Sequence, residues 1–396
     1  MARATEEVIA QYGRYVMETY ARSPLVITKA KGSRVWDVEG REYLDLFPGW
    51  GVSLLGYNHP FVVRALRAQA GRVLHVSNNY YQPLQWRAAR AIAEAAFDGR
   101  VFFCNSGAEA VEGAVKLARR WGGERQEIIV TQRSFHGRTM GALSATGQPK
   151  LHQGFAPMLS GFVHVPFNDL EAAARAVTPA TCAVMIEPIQ GEGGVHEASV
   201  EYLRGLRRLC DERRLLLVAD EVTTGMGRTG DWFAYRAAGI EPDVLLLAKG
   251  LAGGVPAGAV LAARRIAEVL PSGSHGTTFG GSPMVCACIL AVFEAVEKQG
   301  LLARVRTLSR YLFDRLARLR AHSPLVHDVR GRGFMAGIEL SVDGRPIAAA
   351  ARERGLLINC TQERVLRLMP AMTITKAQLA RGMAVLEDVL ASAAEA

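Results

Sequence analysis

Between residues 101 and 263, short apolar runs alternate with helical patterns, and no other feature of the chain restricts its fold as much. The runs are VFF (101–103), EIIVT (127–131), CAVMIEP (182–188), LLLVADE (215–221), DVLLLA (243–248) and AGAVLAA (257–263). Between several of them lie helical patterns, such as AEAVEGAVKLARRWG (108–122) and SVEYLRGLRRLCDERR (199–214). Strands that are apolar on both faces, separated by amphipathic helices, predict an α/β fold with a mostly parallel sheet covered by helices. Ligands of such open sheets bind beyond the carboxyl ends of the strands. The residues just after each apolar run are therefore the functional candidates.

The two ends of the chain read differently. LVITKAKGSRVWDVEGREYLDL (25–46) alternates polar and apolar residues around a Glu39-Gly40 turn, as a half-exposed hairpin does. A helix starting near 283 is followed by a helix over 301–320, strands within 329–340, a helix over 346–354, LLIN (356–359), VLRLMP (365–370) and a last helix. We expect a large α/β domain over 59–295 and a small α+β domain built from 1–58 and 296–396. The chain carries no internal repeat and no low-complexity linker.

A net charge of +9 raises the question of nucleic acid. The arginines answer it: in 202–214 and 311–320 they alternate with leucines at helical spacing, which makes a solvated helix face and no basic run. Six scattered cysteines form no CxxC pair and nine histidines form no ligand motif, so neither a metal nor a disulfide framework is expected. No apolar run approaches the roughly 20 residues that span a bilayer, and the first residues lack the apolar core of a signal peptide. A cytoplasmic protein is expected, without nucleic-acid or membrane partners.

Chemistry concentrates at the strand ends. FFCNSGAEAVEGAVKLARR (102–120) runs from a strand through a small polar turn directly into a helix. There Ser106, Gly107 and Ala108 would offer free N–H groups and the positive end of the helix dipole to an anion, although an ordinary helix cap has the same look. VADEVTTGMGRTG (218–230) ends a strand with Asp220 and Glu221. Its GMGRTG fits the dinucleotide pattern GxGxxG, but two acids fill the place where a pyrophosphate would approach, and Arg228 and Thr229 suit an irregular loop. DVLLLAKGLAGGVPAGAV (243–260) carries Lys249, one of only seven lysines among forty-seven basic residues. It follows an apolar strand, so desolvation should favour the neutral, nucleophilic amine suited to imine formation. SFHGRTMGALSATG (134–147) adds an aromatic ring, a histidine and an arginine, and GSHGTTFGGSPMVCA (273–287) adds two threonines in a glycine-rich loop.

A phosphate cradle, an aromatic ring, a carboxylate and an imine-forming lysine are together what pyridoxal phosphate requires. At these residues the chain resembles a known family: NSGAEA, FHGRT, EPIQGEGG, DEVTTGMGRTG, LAKGLAGG and HGTTFGG look like the signatures of class III, fold type I aminotransferases, the acetylornithine and ornithine branch in particular. The resemblance runs from KGSRVWDVEGREYLDL to VLRLMPAMTI. It implies a seven-stranded-type, mostly parallel sheet in the large domain and pyridoxal phosphate held by Lys249. It further implies Asp220 at the pyridine nitrogen, Phe135 and Val222 on the ring faces, and Gly107 and Ala108 at the phosphate. Ser106, Glu221 and Thr223 complete the expected cofactor shell, and Thr278 would reach the phosphate from the partner subunit of a homodimer. Arg138 would bind a substrate carboxylate, with Thr277 and Trp50 at the pocket. Glu192 and Arg367 match a pair in which the acid masks the arginine for one substrate and releases it for the other.

In three places the chain departs from the family's pattern. Thr223 replaces a glutamine, Thr277 stands where serine is more common, and Trp50 is bulky at the pocket wall. The implied reaction is transfer of the ω-amino group of N-acetylornithine to 2-oxoglutarate, as in arginine biosynthesis. Ornithine, succinylornithine, 4-aminobutyrate or lysine-derivative donors are the alternatives, and a racemase or decarboxylating transaminase stands further off.

Overall fold

The computed structural model describes residues 2–395. Its centre is a seven-stranded sheet in the order Gly99–Cys104, Gly258–Ala263, Val244–Leu247, Leu216–Asp220, Thr181–Ile186, Glu127–Thr131 and Phe162–Val165. Neighbours pair in parallel from Val244–Leu247 to Phe162–Val165, while Gly258–Ala263 runs antiparallel to both of its neighbours. The sheet is thus mostly parallel with one reversed strand. Period-two alternation along Leu216–Asp220 feeds both layers. Leu216 and Val218 pack with Val111, Ala114 and Ala118 of helix Gly107–Gly122. Leu217 packs with Tyr202, Leu206 and Cys210 of helix Val200–Arg213 on the other face. All five residues of that strand are buried, so its polar end has no solvent to fall back on.

The two chain ends share structure. Ile27–Lys31, Arg34–Asp37 and Glu42–Asp45 form an antiparallel meander, and Leu356–Leu357 adds to it in parallel beside Glu42–Asp45. The expected hairpin is therefore two hairpins in series: Gly40 (φ 85°) makes the anticipated turn, and Gly32 (φ 61°) makes a second. The other C-terminal strands form a four-stranded antiparallel sheet in the order Val326–Arg332, Met335–Leu340, Val365–Leu368 and Asn359–Thr361. Helices Pro283–Lys298, Leu301–His322 and Gly344–Glu353 lie where the periodicity places them, whereas helix Ala2–Tyr15 was not anticipated. Residues 222–229 form successive turns and no helix, so GMGRTG lacks the helix N-terminus that a dinucleotide would need. Among the described residues, no helix is long and apolar enough to cross a membrane, and no cluster of ligand side chains could hold a metal ion.

Candidate active site

Four strands of the large sheet deliver the residues at or just after their carboxyl ends to one cavity of about 440 Å³, within the range of a small-molecule site. Its lining includes Ser106, Gly107 and Ala108, then Phe135, His136 and Arg138, then Asp220, Val222, Thr223 and Lys249.

The anion end follows from local structure. The Ser106 hydroxyl caps the helix by accepting from the Glu109 N–H at 3.1 Å. The N–H groups of Gly107 and Ala108 fall in the first turn, where a helix offers no acceptor of its own. Space there depends on missing side chains. A Cβ on Gly107 would stand 2.9 Å from Val222 Cγ1, and one on Gly137 would stand 2.8 Å from Ala108 Cβ.

Asp220 closes its strand with a partner ready. Its Oδ2 lies 2.7 Å from His136 Nδ1, and both side chains are buried. Burial opposes a charge on His136, but the hydrogen bond and charge of Asp220, with Glu187 nearby, outweigh it and raise the imidazole above its ordinary value. The buried carboxylate thus favours the protonated form of the imidazole. Glu187 accepts from the Phe135 N–H at 2.9 Å and the Gly191 N–H at 3.3 Å, and burial pushes it up to about 7.

Lys249 follows Val244–Leu247 with a left-handed backbone (φ 44°), an unusual conformation for a side-chain-bearing residue that aims the amine into the cavity. Its Nζ donates to Thr223 Oγ1 at 2.6 Å. Burial lowers its pKa below the ordinary lysine value, with Glu192 and then Arg367 acting on it in opposite senses. Threonine at 223, where the family's pattern carries glutamine, thus meets the lysine itself.

Arg367 is 1% exposed and pairs through Nη1 with Glu192 at 2.8 Å. Phe47 lies under its guanidinium at 4.6 Å and Trp50 at 5.8 Å. Trp50 is half exposed with φ 59° and packs edge-on against Phe47. Arg138 is exposed at the cavity mouth, 5.8 Å from the Phe135 ring.

Two sequence-derived candidates lie elsewhere. Glu221 belongs to no cofactor shell, because its carboxylate accepts from Thr224 Oγ1 at 2.6 Å and from the Ala234 and Tyr235 N–H groups at 2.9 and 2.8 Å. Adjacent residues of an extended chain point to opposite sides, so Asp220 and Glu221 cannot both face the cavity. Thr278 is exposed in a separate open cleft of about 940 Å³. Its neighbour Thr277 is held by Asn105 Nδ2 at 3.0 Å, beside the first cavity.

Sequence reasoning missed the roles of His136, Glu187 and Arg228. The signal for His136 was indirect: a carboxylate at the end of a fully apolar strand needs a cation, and FHGRT supplies one. Arg228, assigned only to an irregular loop, is fully buried and donates to the carbonyls of Gly51, Phe334, Met369 and Pro370. No local pattern announces such a contact.

The side chains present fit pyridoxal phosphate: the anion cradle has room only because Gly107 and Gly137 lack side chains, and a desolvated lysine and a histidine-backed carboxylate share the cavity. Comparison with known proteins agrees. Residues 15–390 match the aminotransferase class-III family. The acetylornithine aminotransferase 1 of Bordetella bronchiseptica is 50% identical over 90% of this chain and 92% of its own. The acetylornithine aminotransferase of Caldanaerobacter subterraneus is 47% identical over 95% of this chain and 97% of its own. The crystal structure of the ornithine aminotransferase of Toxoplasma gondii superposes with a TM-score of 0.95 at 33% identity, covering 99% of this chain and 96% of that one. The chain belongs to the class-III aminotransferases, the fold type I enzymes that work with pyridoxal phosphate.

Proposed function

We propose that this enzyme transfers the ω-amino group of N-acetylornithine to 2-oxoglutarate, giving a semialdehyde and glutamate. The observation that carries the reading is the Glu192–Arg367 pair, whose two charges both act on the Lys249 amine. One pocket must accept two unlike molecules. The donor's carboxylate lies far from its reacting amine, whereas glutamate also carries one beside it. Arg138, exposed at the mouth, would bind the distal carboxylate of each. Arg367 would serve the near carboxylate of glutamate and pair with Glu192 while the donor is bound, since an unpaired buried arginine against an apolar chain is costly. The acetylornithine aminotransferases at 47% and 50% identity support this donor over ornithine or 4-aminobutyrate.

Pyridoxal phosphate, when bound, supplies the electron sink that makes the amino-bearing carbon acidic. The Lys249 amine would attach it and then carry the proton to and from that carbon. Asp220, backed by His136, would hold a proton at the pyridine nitrogen. Phe135 and Val222 would pack its faces, with Ser106, Gly107 and Ala108 at the phosphate. We read 59–295 as the cofactor-binding domain, and 1–58 with 296–396 as the smaller one that brings Arg367 to it. A homodimer with shared sites is part of the proposal: Thr278 and Tyr81 stand exposed in the lining of the open cleft, where a second copy would cover them.

A panel of ω-amino donors with 2-oxoglutarate tests the donor. N-acetylornithine should give the highest kcat/KM, and a preference for 4-aminobutyrate would overturn the reading. Lys249→Ala should lose at least about 10⁴-fold in turnover, some 5.5 kcal/mol of barrier, and no longer be tagged by borohydride in peptide maps.

A further inference from the structure

Arg367 is held on two sides by groups of different charge, and the neutral one has no part in the proposal above. Asn359 stands directly across the antiparallel pair from Arg367, so the two side chains share a sheet face. Its Oδ1 accepts from Arg367 Nε at 3.1 Å and from Nη2 at 2.9 Å. Glu192 takes Nη1 at 2.8 Å. On the opposite flank the cross-strand neighbour is Gly337, where a Cβ would come within 2.9 Å of Val195, three residues beyond Glu192.

The hairpin that carries both Asn359 and Arg367 also fixes the backbone of the acid. Thr361 Oγ1 and Gln362 Nε2 both donate to the Glu192 carbonyl, at 2.9 and 2.8 Å. Residues 362–364 turn the hairpin, Gln362 and Glu363 with φ of 49° and 63°. With its main chain pinned at this point, Glu192 can release Arg367 by rotating its side chain, without moving the loop.

We infer that Asn359 is a specificity-determining positioning residue, orienting the Arg367 guanidinium along one edge without neutralising it, so that its charge is shared only with a carboxylate that can leave. An acid at 359 would be nearly isosteric and would accept the same two hydrogen bonds, but it could not withdraw. Arg367 would then be neutralised whichever substrate is bound. This inference rests on the reading of Glu192 and Arg367 as the exchangeable pair.

The test separates the two half-reactions of the holoenzyme and adds calorimetric titration with glutarate, an unreactive dicarboxylate. Asn359→Asp should lower kcat/KM for glutamate at least about tenfold, mostly through KM, and weaken glutarate by a similar factor. The N-acetylornithine half-reaction should stay within about twofold. Asn359→Ala, which removes orientation but adds no charge, should cost glutamate only about threefold. Glu192→Gln alone should impair the donor half-reaction, and Asn359→Asp added to it should restore the donor side while leaving glutamate impaired. The inference is overturned if Asn359→Asp leaves glutamate and glutarate unchanged, slows both half-reactions equally, or does no more harm than Asn359→Ala. If Glu192→Gln shifts neither half-reaction, the exchangeable pair itself is wrong.

Discussion

Arg228 and Arg367 are the two largest fully buried side chains, at 0% and 1% exposure, and they solve the same problem in opposite ways. Arg228 has no carboxylate partner among its hydrogen bonds. Four carbonyls from three segments, Gly51, Phe334 and Met369–Pro370, solvate it with backbone dipoles. Burial pushes its pKa down to about 9, so it is still a cation at neutral pH. Arg367 instead has a carboxylate, an amide and two aromatic rings. Backbone carbonyls cannot turn away without breaking the fold, whereas a glutamate side chain can. A cation solvated by main chain ties segments together; a cation solvated by side chains is free to change partners.

The largest effect should come from breaking the first arrangement. Arg228→Met would leave four carbonyls without their donor, offset in part by the cation's own desolvation cost. We expect a loss of about 3 to 5 kcal/mol of stability, read as a lowered urea midpoint. A near-normal midpoint would show that water or neighbouring donors satisfy those carbonyls, and the contrast between the arginines would fail.

Arg367→Lys probes the other arrangement and should act on chemistry more than on the fold. Lysine keeps the charge but not the bidentate fork. The glutamate half-reaction should fall roughly a hundredfold, about 2.7 kcal/mol, with a melting temperature lowered far less than in Arg228→Met. Glu192→Gln should reverse the preference and slow the ω-amine side more. Should both substitutions slow both half-reactions equally, or only lower the melting temperature, Glu192 and Arg367 would be a static clamp like Arg228.

How far each feature could be read from the sequence follows the same division. The sheet was legible because apolar runs such as LLLVADE leave a strand few alternatives, and Lys249 because one lysine among seven sits after such a run. The reversed strand Gly258–Ala263 was not legible, since apolarity carries no direction. Glu221 was misplaced although period-two alternation already opposed it to Asp220. Glu192 and Arg367 meet at 2.8 Å across 175 positions of sequence. Only the family resemblance foresaw that meeting, because nothing local at either residue encodes the other. Arg228 and Asn359 act through partners that the fold alone brings near, the carbonyls in one case and a cross-strand neighbour in the other.

The smallest effect, and the finest distinction between the two arginines, should appear at Lys249. Burial is the main cause of its lowered pKa; Glu192 raises it, and Arg367 lowers it further. Arg228 is not among the main charges acting on it. A lysine whose folded pKa lies below its unfolded value binds fewer protons in the folded state, so more of its amine is free on the alkaline side of that lowered value. In the apoenzyme, the rate of pyridoxal phosphate uptake should therefore climb with pH and reach half its maximum below the ordinary lysine range of about 10.4. Arg367→Gln removes a positive neighbour and should move that midpoint up. Glu192→Gln removes a negative one and should move it down. A milder replacement of the structural cation, Arg228→Lys, should leave it in place even if the protein is less stable. Opposite shifts from the first two and none from the third would show that only the exchangeable arginine speaks to the amine. Shifts of one sign in all three would mean that the midpoint follows general loosening of the fold, and that the two buried cations differ less than their partners suggest.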